Sequence, residues 1–125
     1  MNNVYDVVNN DHSIQFTYVG DPTTAPTLSG SALNFGDFNR RNHINSDRFA
    51  LAQFHFHWGL RNGQGSEHLL QGQEYDMELH LVHYNHDKYR NLNQALASRS
   101  NGVVVLAIFY KVFYFILFYY IILYS

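Results

Sequence analysis

Between Phe54 and Trp58 the chain reads Phe-His-Phe-His-Trp, and this alternation constrains the backbone more than any other stretch. A strand sends successive side chains to opposite faces, whereas a helix spreads them around its axis. As a strand, His55 and His57 share one face, and Phe54, Phe56 and Trp58 share the other. Same-face Cα atoms then lie about 6.5–7 Å apart, close enough for two imidazoles to converge on one ion. The aromatic face is suited to burial in a core. Taken alone, a His-x-His pair fits a metal site or an ordinary pair of strand histidines.

A second strand signal, Met77-Glu-Leu-His-Leu-Val-His-Tyr84, alternates in the same way. Glu78, His80 and Val82 fall on one face, Leu79, Leu81 and His83 on the other. If this strand lies beside 53–58, His80 can meet His55 and His57. Three neutral imidazoles leave one tetrahedral position open, the arrangement of catalytic zinc. A metal-bound histidine usually donates its other ring N–H to an oxygen acceptor. Gln53 and Glu78 each stand two residues before a histidine and on its face, so both are candidate orienting groups.

The remainder reads mostly as β. Residues 4–19 suggest strand, turn and strand, with His12 to Val19 alternating. Residues 20–48 carry both prolines and many Asn, Asp, Ser and Thr, and read as loop. Residues 49–58 read as strand, 59–76 as a long glycine-bearing connection, 77–84 as strand, 86–100 as turn or short helix, and 103–112 as buried strand. The expected fold class is mainly β, with neighbouring strands bringing distant residues together.

Composition narrows the classes. The 125 residues allow one domain with a modest core, and 17% aromatic content argues for a packed interior. A formal charge of −2 gives no reason to expect a nucleic-acid partner. There is no cysteine, which excludes disulfides and thiolate metal sites. The first residues lack a basic n-region and an apolar h-region, so no signal peptide is read, and a cytoplasmic setting is the expectation.

The motifs QFHFHWG (53–59), GSEH (65–68) and ELHLVH (78–83), in this order and spacing, resemble the core of the alpha-class carbonic anhydrases. NNDHSIQF (9–16), LSG (28–30) and NGVVVLAIFYKV (101–112) resemble further family segments. The resemblance implies a partial alpha-carbonic-anhydrase fold (a large, mostly antiparallel sheet with the zinc site on its central strands), a Zn2+ cofactor, and reversible hydration of CO2 to bicarbonate and a proton by a zinc-bound hydroxide. It implies a small-molecule substrate. His55, His57 and His80 match the zinc ligands, with Gln53 and Glu78 as their hydrogen-bonding partners. His12 matches the proton shuttle. Glu67 matches a buried acid that orients a threonine hydroxyl, and His68 a structural histidine near it. Val82 and Val105 match walls of the CO2 pocket. His83 falls on the face opposite the ligands and is read as structural. His43 and His86 match nothing and are expected at the surface.

The resemblance stops at Val112. Residues 1–112 read as a partial carbonic anhydrase domain and 113–125, FYFILFYYIILYS, as a divergent apolar tail prone to β structure and aggregation. The segment carrying the threonine partner of Glu67 is expected to be missing. A zinc-binding but inactive fragment is therefore the alternative to a working enzyme. Val103 to Tyr124 could be long enough to meet a membrane, but Lys111 in its middle disfavours a span.

Overall fold

The computed structural model describes residues 4–10, 13–29, 47–98, 101–113 and 116–124. Among the described residues, seven strands form one sheet: β1 (Tyr5–Asn9), β2 (Ile14–Tyr18), β3 (Thr27–Ser29), β4 (Arg48–Trp58), β5 (Met77–Asn85), β6 (Val103–Phe113) and β7 (Ile116–Tyr124). The order across the sheet is β1-β2-β4-β5-β6-β7, with β3 also paired to β4 and every pairing antiparallel. β4 is the pivot. Its first half (48–50) bonds β3 and its second half (53–56) bonds β2, while β5 runs along its other side. The sequence reading missed β3, because three residues are too few to show alternation.

β4 holds a bulge. Leu51 pairs with His83 and Gln53 with the next residue back, Val82, so Ala52 is left over. The extra residue reverses the face parity of the strand. Ala50 therefore joins the face of His55 and His57, and Phe49 and Leu51 join that of Phe54 and Phe56. Each face has a small core. Ala25, Ala50, Tyr84 and Ala95 cluster on the histidine side, where Leu92 brings in the helix α1 (Leu92–Leu96). Phe49 and Val104 pack with Leu28 on the other. Asn91 caps α1 by accepting from the Gln94 backbone N–H at 3.0 Å.

The aromatic face is less covered than the alternation suggests. Phe54 and Phe56 are only half-buried, and Trp58 is 45% exposed. No described element lies over that end of the sheet, so the rings pack sideways, with Phe54 stacked on Phe16 at 4.6 Å between centroids. At the far edge, Val103 to Tyr124 forms the β6–β7 pair, and no described helix is long and apolar enough to cross a membrane. β7 is the last strand in the sheet order and carries no charge, a combination that favours edge-to-edge association.

The connection from β4 to β5 folds back on itself. Ser66 N donates to Tyr75 O at 3.0 Å, and Tyr75 N donates to Ser66 Oγ at 2.9 Å. Tyr75 is buried and stacks on Phe109 at 4.8 Å. Gly65 permits this closure, since a Cβ there would lie 2.2 Å from the Asp76 carbonyl oxygen. Gly72 has a positive φ of 77° but open space around it. Gly65→Ala should therefore cost roughly 1–3 kcal/mol by overpacking. Gly72→Ala should cost about 1–2 kcal/mol for its left-handed backbone. Urea unfolding midpoints check both, and near-ultraviolet circular dichroism should change with Gly65→Ala and not with Gly72→Ala.

Candidate metal centre

The register of β4 against β5 sets His55 directly opposite His80 and His57 opposite Glu78. Facing residues in an antiparallel pair share a face, so the three histidines converge without help from a loop. Their ring centroids lie 4.7–5.0 Å apart, and one ligand atom from each falls within 4.8 Å of the others.

Hydrogen bonds assign which nitrogen each ring offers. His55 Nδ1 donates to Gln53 Oε1 at 2.8 Å, which leaves the Nε2 lone pair facing the site. His80 Nε2 donates to Glu78 Oε1 at 2.6 Å, which leaves Nδ1. His57 Nε2 is buried with no hydrogen-bond partner. An unpartnered buried imidazole nitrogen is costly, and a cation at the centre of the three rings would satisfy it.

Glu78 is fully buried and bound on both oxygens. Besides His80, it accepts from His68 Nδ1 at 2.7 Å and from His68 N at 2.9 Å. Burial pushes its carboxyl up, but these hydrogen bonds outweigh that and hold it below the usual glutamate value. His68, Glu78 and His80 also bring one ligand atom each to within 4.8 Å of the others. Their separations of 2.6–2.7 Å are hydrogen-bond lengths, shorter than the roughly 3.3 Å between donors around a tetrahedral zinc. That trio is a hydrogen-bonded clamp.

Burial lowers the pKa of His55 to about 4, with His57 and His80 beside it adding to the effect. Burial also lowers His57, against the opposing pull of Glu67. Both rings are thereby held in the neutral form that metal binding requires.

The other expected site residues are placed as follows. Val82 is buried, pairs with Val105 on β6, and shares the His80 face two residues along. Glu67 departs from its expected burial. Its side chain is 55% exposed, with Oε2 3.5 Å from His57 Nε2 and 3.9 Å from His80 Nδ1. The described structure lays no hydroxyl against it. His83 is buried on the opposite face with Nδ1 donating to Leu81 O at 3.0 Å, as its position in the alternation implies. His86, expected at the surface, is half-buried with Nε2 enclosed and unpartnered, because it follows β5 into the turn that packs against β4. His12 and His43 lie outside the described residues.

One part of the site went unread in the sequence. Gln15 of β2 stands opposite His55, and Thr17 opposite Gln53, with Gln15 Nε2 donating to Thr17 Oγ1 at 3.1 Å. The signal was there in Ile-Gln-Phe-Thr-Tyr, whose polar residues alternate. These two residues line a cavity of about 480 Å³ with Tyr18, Gln53, Asn91 and Asn93. On the other flank, β6 presents Val105, Ala107 and Phe109 to the same face.

The family model for eukaryotic-type carbonic anhydrases matches residues 2–115. Rabbit (Oryctolagus cuniculus) carbonic anhydrase 1 is 36% identical over 107 residues, which cover 86% of this chain and 39% of the rabbit protein. Mouse (Mus musculus) carbonic anhydrase 1 is 36% identical over 107 residues and 36% of its own length. Human (Homo sapiens) mitochondrial carbonic anhydrase 5A is 43% identical over 91 residues, 73% of this chain and 26% of the human protein. The chain thus spans well under half the length of these relatives.

The depressed His55 pKa fixes a pH dependence for the metal-free chain. The unfolded chain takes up a proton near pH 6.5 and the folded one only near 4. The contribution is full above about 6.5 and is lost as pH falls toward 4. Melting temperature should drop between pH 7 and 5, and His55→Gln should shrink the drop. An equal drop in both would contradict this assignment.

Proposed function

The chain belongs to the eukaryotic-type carbonic anhydrase family, and from that premise we propose that His55, His57 and His80 hold zinc for the reversible hydration of CO2 to bicarbonate and a proton. The observation that carries the reading is the buried, unpartnered Nε2 of His57, set among two other imidazoles whose outer nitrogens are already pinned. This donor set fits zinc, which favours imidazole nitrogen and four-fold coordination. Zinc, when bound, supplies the Lewis acidity that makes water a nucleophile near neutral pH.

The chain's own residues would do the rest. Gln53 and Glu78 hold the His55 and His80 rings in the tautomer and orientation that present a lone pair inward. Val82 and Val105 offer an apolar wall beside His80, suited to a small nonpolar gas. Gln15, Thr17 and Gln53 line the opposite flank, where ordered water could carry a proton away. His12 would pass that proton to buffer, since an imidazole titrates close to working pH.

Stopped-flow CO2 hydration by the 125-residue chain with one equivalent of zinc tests the reading. Catalysis above background is expected in the wild type and absent in His80→Ala. Gln53→Ala should weaken zinc binding by about 10–100-fold, measured by competition with a chromophoric chelator. A wild type no faster than His80→Ala would remove the enzymatic reading.

A further inference from the structure

The charges of the sheet are sorted by face. Histidine apart, the acidic and basic residues of the described strands are Asp6 on β1, Arg48 on β4, Glu78 on β5 and Lys111 on β6. The register puts all of them on the histidine side. Asp6 stands opposite Thr17, and Thr17 opposite Gln53. Lys111 shares its face with Phe109, the partner of Glu78. Arg48 precedes the bulge and shares the face of Ala50. Among the described residues, no strand places a charged side chain on the other face, the one that carries Phe54, Phe56 and Trp58.

That face is apolar and open. The pairings align Val7, Phe16, Phe54, Leu81 and Leu106 in one row across five strands. Val7 is 59% exposed, Trp58 45% and Ile14 37%. The whole chain exposes 9031 Å². A folded monomer of its 14.6 kDa exposes roughly 6,900 Å². A standard interface takes about 800 Å² from each partner, well inside that excess.

We propose that this face is the docking surface for a second copy of the chain, the two sheets packing aromatic face to aromatic face about a two-fold axis. Charge complementarity selects the occupant. A partner that brought a charge onto this face would bury it without a counter-ion. What fits is a broad, uncharged, apolar sheet face, and the chain itself presents one. A two-fold axis pairs such a face with its own copy and closes at two. Sheets stacked in this way lie about 10 Å apart, with strand directions within about 30°. Both histidine faces then point outward, so dimerisation leaves the metal centre and the cavity beside Gln15 and Thr17 open to solvent.

Trp58 is the sole tryptophan and reports on the interface directly. Sedimentation equilibrium of the full chain at tens of micromolar should give twice the 14.6 kDa chain mass. On dilution, Trp58 emission should move to longer wavelength with the same midpoint as the loss of dimer. Val7→Glu and Ile14→Glu each add a carboxylate at a position that is exposed in the single chain, so the circular dichroism spectrum should be unchanged. Each should raise the dimer dissociation constant at least about a hundredfold, because pairing would bury the new charge. Asp6→Lys, a charge reversal on the histidine face, should leave the constant unchanged. If either glutamate variant unfolds, the wild-type dilution series decides alone. A wild type that stays monomeric overturns the proposal. So does open-ended growth, or a dimer that both glutamate variants leave intact, since each assigns association to the β7 edge. A monomer whose Trp58 emission moves to shorter wavelength on adding phosphatidylcholine vesicles assigns the face to lipid and overturns it as well.

Discussion

A carboxylate with no access to water must be surrounded by donors, and Glu78 organises much of the molecule around that requirement. His80 supplies one donor from Glu78's own strand. The other two come from His68, which lies across the β4–β5 connection. To deliver them, the connection must turn back over the sheet, and the pairing of Ser66 with Tyr75 holds it there. Glu67 is carried to the mouth of the site as the neighbour of His68. The fold places a fully buried acid and an exposed one within reach of the same imidazole.

The register decides the chemistry on either side of the histidines. β2 and β6 flank the β4–β5 pair, and the residues they present to the shared face differ in kind: Gln15 and Thr17 from one, Val105, Ala107 and Phe109 from the other. A polar flank and an apolar flank around one centre let a site order water and admit a nonpolar molecule together. Neither flank needs a loop, so the arrangement is as rigid as the sheet.

Much of this was legible in the residues. Period-two alternation located β2, β4 and β5 and put the three histidines on one face with Gln53 and Glu78 behind them, and a nearly unbroken apolar run located β6. Other features depend on what alternation does not encode. β3 is too short to show it. The leftover Ala52 is invisible because the sequence around it stays apolar on both sides of the slip. The polar flank was passed over because Gln15 and Thr17 are ordinary residues for a strand. Trp58 was assigned to a buried face, but burial depends on what else lies over the sheet. Glu67 was expected under cover, and its exposure depends on neighbours that a motif does not carry.

The bulge at Ala52 makes β4 behave like a text with a reading frame. Upstream of it, one set of alternate residues packs the core beside the helix. Downstream, the opposite set builds the site. Replacing a residue on either side alters one position. Adding or removing one residue between Phe49 and Gln53 would exchange inside for outside along half the strand, sending the histidines away from their partners or the core residues into solvent. The length of this short stretch is therefore under tighter constraint than its composition, and a lineage carrying this strand can revise its letters far more freely than its count.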